Sequence, residues 1–131
     1  MSKPLLALVL ALLCPSSGAG QKPVPTPPAD VLLASPGNFR LLLDNEYVRV
    51  IEYVVRPGER DQWHTHPAKV SYVAEGGTLR LNTDDGKSFL ADVKPGTTTW
   101  DQPVGRHFVE NVGKTPVRII LTEVKGVRSG R

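Results

Sequence analysis

The sequence of 131 residues is long enough for one compact domain, and roughly 100 residues would remain for it after removal of a targeting segment. Its formal net charge of +3 is mild. Because the lysines and arginines are spread along the chain, the sequence lacks the concentrated basic stripe of a nucleic-acid-binding protein, and we predict no nucleic-acid partner.

Residues 1–20 are typical of an export signal. Lys3 supplies a positive start, residues 5–13 form an uninterrupted apolar run, and small residues follow at 16–20. The apolar run is about half the ~20 residues that span a bilayer. We therefore predict a cleaved signal peptide, no stable membrane span after its removal, and a periplasmic or secreted protein.

The expected cleavage follows Ala19 or Gly20, so Cys14, the only cysteine, would leave with the signal. The mature chain would then contain no disulfide and no thiolate ligand. Lipidation at Cys14 is a minor alternative, because the residue before it, Leu13, is bulkier than a lipoprotein peptidase prefers.

Residues 21–37 are interpreted as a proline-rich linker, because prolines remove backbone donors and block helix formation. Residues 31–33, Val-Leu-Leu, offer an alternative within this segment: they could pack on the domain as an arm. At the other end of the chain, residues 126–131 are expected to form a solvated polar tail.

The segment 38–125 is predicted to be an all-β domain. Short runs rich in β-branched and aromatic residues alternate with turn residues, and no stretch sustains a helical period. That density of short strands is typical of a sandwich or a closed barrel. The predicted strands are 39–43, 47–55, 62–66, 70–74, 78–83, 88–93, 97–100, 106–111 and 117–124.

The three histidines are candidates for a metal site. If residues 62–66 are extended, alternation puts His64 and His66 on one face, roughly 6.6 Å apart along the backbone, where both imidazoles can lean toward one cation. His107 lies in a later predicted strand that could bring it to the same point. Spacing alone leaves open the alternative of solvated histidines that bind nothing.

The residues around these histidines resemble the two signature motifs of the cupin superfamily, which begin G-x5-H-x-H and G-x5-P-x-G-x2-H-x3-N. The matching residues are Gly58, His64 and His66 in the first motif and Gly96, Pro103, Gly105, His107 and Asn111 in the second. The proline and the second glycine of the second motif sit one place late. The phrases YVRV, RPGE and VEN also resemble small single-domain bacterial cupins with a cupin-2-like conserved barrel, some of which carry export signals.

The resemblance implies a double-stranded β-helix, or jelly-roll barrel, with one metal ion at its centre, and it implies a homodimer. The ligands that it implies are His64, His66 and His107. Where many cupins carry a ligating glutamate, this chain has Val70 or Ser71. The expected site therefore has three neutral nitrogen ligands and no protein carboxylate.

Three imidazoles suit several divalent transition metals, so the predicted cofactor is one such ion, with Fe(II) favoured and Zn, Mn, Ni and Cu as alternatives. By analogy with cupin dioxygenases that have a three-histidine centre, the predicted function is a dioxygenase-like, metal-dependent enzyme that acts on a small organic molecule. The alternative is a non-catalytic module that binds a small molecule or a sugar acid.

Two further residues are candidate catalytic groups. Gln62 would face the cavity if it continues the parity of the histidine strand, and Tyr72 would do so if Val70 faces inward. The alternatives are a strand-edge glutamine in water and a core aromatic residue. Glu59 and Asp61, in the turn before the strand, are expected to be solvated, which leaves no evident general base and favours oxygenation over hydrolysis or isomerisation.

Overall fold

The computed structural model describes residues 29–126, which form two antiparallel β-sheets around a shared core. The elements in chain order are α1 (Val31–Ala34), β1 (Phe39–Asp44), β2 (Val48–Val55), β3 (His64–His66), β4 (Lys69–Glu75), β5 (Gly77–Thr83), β6 (Ser88–Val93), β7 (Thr98–Asp101), β8 (Val104–Asn111) and β9 (Val117–Val124). One sheet has the strand order β1-β2-β9-β4-β7, and the other has the order β3-β8-β5-β6.

Every strand predicted from the sequence is present, with ends that differ by no more than two residues, so the all-β prediction is confirmed. The predicted signal peptide at 1–20, residues 21–28 of the predicted linker and residues 127–131 of the predicted tail lie outside the described residues. Between residues 29 and 126, no helix has the length and apolar character needed to cross a membrane.

Alternation along β9 shows how the sequence sets the inside of the fold. Val117, Ile119 and Leu121 are buried on one face, as expected for a strand whose side chains alternate. Glu123 continues the same buried row, so β9 carries a carboxylate into the interior. The other members of the buried apolar core come from both sheets and α1: Val31, Phe39, Ile51, Tyr53, Val55, Val73, Leu79 and Val109.

The described end of the proline-rich segment packs against the domain. The proline density predicts no helix in 21–37, yet α1 forms one turn, because the stretch around it contains no proline. Asp30 caps this turn by accepting a hydrogen bond from the Leu32 N–H at 2.9 Å. Val31 is fully buried in the core and anchors the segment.

β3 is short, and its start determines which side chains face inward. The sequence pattern predicts a strand from residue 62, but β3 begins at His64. The backbone N–H of Gln62 donates instead to the hydroxyl of Ser35 at 2.7 Å, next to α1. The alternation of the histidine strand therefore does not extend back to residue 62.

Candidate metal centre

β3 and β8 bring the three histidines to one buried point, as predicted. His64 and His66 lie on β3, and antiparallel pairing places His107 of β8 directly opposite His64. Their exposed fractions are 1%, 7% and 3%. Within the described part of the chain, they are the one group of three or more potential ligand side chains whose ligand atoms all lie within 4.8 Å of one another.

Two of the imidazoles are oriented by backbone carbonyl groups two residues earlier. His64 Nδ1 lies 2.6 Å from the carbonyl oxygen of Gln62, and His107 Nδ1 lies 2.7 Å from that of Gly105. A carbonyl oxygen can only accept a hydrogen bond, so both Nδ1 atoms carry the proton. In the neutral rings, the Nε2 atoms are then left with free lone pairs.

Glu123 orients the third imidazole through its side chain. Oε1 of Glu123 accepts from His66 Nδ1 at 3.2 Å, while Oε2 pairs with Nη2 of Arg49 at 2.8 Å. Arg49 also contacts Asp30, the cap of α1, at 2.6 Å. Glu123 was not predicted from the sequence as part of the site, although its place in the inward-facing row of β9 is a signal that could have identified it.

The lone pairs of the histidine Nε2 atoms converge. His64 Nε2 and His66 Nε2 are 3.2 Å apart, and with both Nδ1 atoms acting as donors this is a contact between two lone pairs. Such a contact is repulsive unless a cation or a proton lies between the nitrogens. Two nitrogen ligands, each about 2.1 Å from one ion, are separated by roughly 3.0 to 3.4 Å at ordinary coordination angles. The residues present therefore fit a bound metal ion.

Burial keeps these ligands in the form that binds a metal. Burial lowers the pKa of His64 and of His107, and it lowers the pKa of His66 to about 4 even though the hydrogen bond to Glu123 acts in the opposite direction. Neutral imidazole is the ligating form of histidine. All three side chains are therefore ready to coordinate at neutral pH without first losing a proton.

Asp61 is buried beside the site, so the prediction that it would be solvated is wrong. It accepts hydrogen bonds from the hydroxyl of Tyr53 at 3.0 Å and from the Val109 N–H at 2.7 Å, and it lies 3.7 Å from His64 Nδ1. Burial raises the pKa of Asp61 to about 6, against the effect of these hydrogen bonds. A carboxylate that could act as a general base thus lines the cavity. The argument that oxygenation is favoured because no general base is present therefore no longer holds.

The side chains of Gln62 and Tyr72 are not among the residues that line the cavity, so the inward orientation expected for them is not observed, and their catalytic role stays a prediction. Gln62 is exposed because β3 begins only at His64, and it contributes its backbone carbonyl to the site instead. Tyr72 is 46% exposed, because the register of β4 turns Lys69 and Ser71 toward the interior.

A cavity of about 520 Å³ contains the three histidines. Its lining is mostly apolar, and its volume is typical of a small-molecule site. At the place where many cupins carry a glutamate, Ser71 lines the cavity and Val70 does not. One side of the cavity, which we call the lysine wall, consists of Lys69 and Ser71 on β4 and Asp101 on β7.

Comparison with solved structures identifies the fold. A cupin domain from Bordetella pertussis matches with a TM-score of 0.62 and 28% identity, over 67% of this chain and 92% of that one. A conserved protein with a double-stranded β-helix domain from Klebsiella pneumoniae matches with a TM-score of 0.55 and 21% identity, over 71% and 82% of the two chains.

A third match is an RmlC-like cupin family protein from Methanocaldococcus jannaschii, with a TM-score of 0.53 and 15% identity over 66% of this chain and 77% of that one. The sequence matches no protein-family model and no curated protein. With two antiparallel sheets and a central group of three histidines, the described residues have the double-stranded β-helix fold of the cupin superfamily.

Proposed function

We propose that the protein is a small exported cupin in which His64, His66 and His107 bind one divalent transition-metal ion, and that it is a dioxygenase-like enzyme for a small organic molecule. The observation that carries this proposal is the convergence of three buried imidazoles, two of them with Nε2 atoms 3.2 Å apart. Fe(II) is the favoured ion by analogy with three-histidine cupins, and Zn, Mn, Ni and Cu are alternatives.

A bound divalent ion would supply Lewis acidity and, if it is Fe(II), redox chemistry with dioxygen. The chain's own residues provide the surroundings. Glu123 holds the ring of His66 in place, and such outer partners maintain both metal affinity and ligand orientation. The apolar lining limits water around the reacting molecule, which strengthens electrostatic interactions inside the cavity.

The metal site is tested by metal analysis of the mature protein. We expect close to one ion per chain in the wild type and none in the triple variant His64→Ala, His66→Ala, His107→Ala, with a large loss in His64→Ala alone. Gln62→Ala is the matched control, because it changes an exposed side chain next to the site and keeps the backbone carbonyl. Full metal retention in the triple variant would refute the site.

The catalytic part is tested by oxygen uptake. Protein loaded anaerobically with Fe(II) is mixed with a panel of thiols, diketones and phenolic acids, and the Zn(II)-loaded protein is the control. We expect uptake with at least one class of compound, in the Fe(II) form only. If no compound supports uptake and one of them binds tightly, the protein is a non-catalytic module for a small molecule or sugar acid.

Export and assembly belong to the same proposal. The export signal rests on the sequence of residues 1–20, and the homodimer rests on the family resemblance. N-terminal sequencing of protein recovered from the native host should give a chain that starts at residue 20 or 21, and light scattering should give twice the chain mass. A full-length or monomeric product would refute these two parts without affecting the metal site.

A further inference from the structure

The lysine wall places a buried cation in the same cavity as the histidines. Lys69 is 7% exposed, and its Nζ donates to Oδ2 of Asp101 at 2.7 Å. The hydroxyl of Ser71 donates to the same carboxylate oxygen at 2.8 Å. The carboxylate is therefore held from two sides, and it fixes the position of the ammonium group at the cavity surface.

The ammonium group of Lys69 has more donors than partners. It carries three N–H groups, and within residues 29–126 it makes one hydrogen bond, the one to Asp101. A buried donor that is left without an acceptor is destabilising, and more so when the group is charged. The remaining donors thus favour an acceptor in the cavity, and a charged acceptor would be favoured most.

The charges of the cavity lining also favour an anion. Lys69 is paired with Asp101, and Lys94 is paired at 4.0 Å with Asp92. Asp61 is the remaining carboxylate among the lining residues, and none of the lining lysines is paired with it; Arg60, which is exposed and lies outside the lining, acts on it electrostatically. Because Glu123 lies behind His66 outside the lining and is paired with Arg49, a divalent ion held by three neutral imidazoles would leave, within the lining, one positive charge in excess of Asp61. A ligand with a single negative charge balances it.

The remaining lining residues are mostly apolar, and they indicate which kind of group the ligand would carry besides its charge. It includes Phe39, Val73, Leu79, Leu81, Val109, Ile119 and Leu121. Burial of an apolar group of the ligand against these side chains would be favourable, because it removes apolar surface from water. A highly hydroxylated ligand, such as a sugar acid, would lose its hydrogen bonds to water there without replacement.

We propose that Lys69 is a ligand-binding residue that receives the carboxylate of a small apolar monocarboxylic acid, with Asp101 and Ser71 positioning its ammonium group. This inference rests on the proposed metal site, because the metal ion supplies the excess positive charge. It narrows the ligand class from small organic molecules to apolar monocarboxylates and argues against sugar acids.

The test compares carboxylates with their neutral amides. Isovalerate with isovaleramide, and 3-phenylpropionate with 3-phenylpropionamide, are titrated into Zn(II)-loaded protein by calorimetry. The double variant Lys69→Met, Asp101→Asn removes the ion pair without a change in net charge, and Lys94→Met, Asp92→Asn, which removes the exposed ion pair of the lining, is the matched control. We expect the preference for carboxylate over amide to fall about ten-fold in the Lys69 double variant and to change much less in the control.

Two results would overturn the role of Lys69: an unchanged carboxylate preference in the double variant, or no binding of either carboxylate to the wild type at millimolar concentration. Zinc content and circular dichroism are measured on the same samples. If the wild type holds no zinc, the metal site fails. If every variant holds one zinc and keeps its fold, a failure of the preference test concerns Lys69 alone.

Discussion

The two sides of the cavity are built in different ways. On the side of β3 and β8, which we call the histidine wall (His64, His66 and His107), two of the three rings are fixed by backbone carbonyl groups only two residues away. In the lysine wall, Lys69 and Asp101 are separated by 32 positions and meet only through the pairing of β4 with β7.

The two walls therefore differ in how easily they can be recognised from a single sequence. A site built from neighbouring residues leaves a short motif, whereas a site built by strand register leaves scattered residues with no common pattern. The histidine wall also has two carboxylate supports: Asp61, three residues before His64, is held in place by Tyr53 and Val109, and Glu123 contacts His66 from 57 positions away. Substitutions at these supports test how far the histidine wall depends on the rest of the fold.

The largest effect is expected on stability when Asp61 is replaced by alanine. Asp61→Ala removes the acceptor for the Tyr53 hydroxyl and for the buried Val109 N–H. We expect a loss of about 2–4 kcal/mol in the free energy of unfolding, measured with urea on metal-free protein. Asp61→Asn keeps an acceptor oxygen and should lose less. Equal free energies of unfolding for Asp61→Ala and the wild type would show that the histidine wall does not depend on Asp61.

Metal affinity should respond to Glu123. Glu123→Gln removes the charge that holds His66 Nδ1 and leaves Arg49 without its buried partner. We expect metal affinity to fall about 10–100-fold, measured by competition with a chelator on protein that circular dichroism shows to be folded. Ser71→Ala, in the lysine wall, is the control and should bind metal as the wild type does. Wild-type affinity in Glu123→Gln would contradict the role of this carboxylate.

The two supports, Asp61 and Glu123, are the part of the candidate metal site that was not predicted from the sequence. The strands and the three candidate ligands were predictable because alternation, turn residues and the motif spacings around Gly58 and His107 are local features of the chain. Asp61 was misassigned because it follows a turn. Its burial comes from acceptor contacts with Tyr53 and Val109, eight and 48 positions away.

The inward orientation expected for Gln62 and Tyr72 is not observed, for two different reasons. Gln62 precedes β3, so the alternation that turns the histidines of that strand inward does not apply to it. For Tyr72 the assumed face of the strand was wrong, because a shift of one residue exchanges the inward and outward faces. β3 begins at His64, and β4 turns Lys69 and Ser71 inward, so the predicted pair points to solvent. Only the pairing of β4 with β7 and β9 fixes that register.

The pH dependence of stability should separate Asp61 from the lysine wall. In metal-free protein the lowered histidine pKa values make stability fall as the pH drops below about 6.5, because the unfolded chain binds protons first. Asp61 acts in the opposite direction. Its pKa of about 6 in the folded state lies above the ordinary value of 3.8, so its protonation stabilises the fold as the pH drops from 6 toward 3.8.

Asp61→Asn should therefore lose stability more steeply than the wild type between pH 6 and pH 4, by at most about 1.4 kcal/mol per pH unit, in urea titrations at several pH values. Asp101→Asn is the control. Burial would raise the pKa of Asp101, but hydrogen bonds from Lys69 and Ser71 outweigh burial and lower the pKa below 3.8. The titration of Asp101 therefore changes stability only below the range from pH 6 to pH 4. Parallel curves for Asp61→Asn and the wild type would contradict the buried state of Asp61.

The smallest effect is expected at the glycines that belong to the two cupin motifs, and it tests whether they serve the backbone or the metal. Gly58 has φ of +81° in the turn before β3, a backbone conformation that a side chain disfavours. Gly105 does not have a positive φ, and an added Cβ there would meet open space. Gly58→Ala should cost about 1 kcal/mol of stability, while Gly105→Ala should stay within about 0.5 kcal/mol of the wild type. Because the carbonyl of residue 105 still accepts from His107 Nδ1, both variants should bind one metal ion with wild-type affinity. A loss of metal at full stability in Gly58→Ala would instead mean that this turn sets the position of His64 and His66 directly.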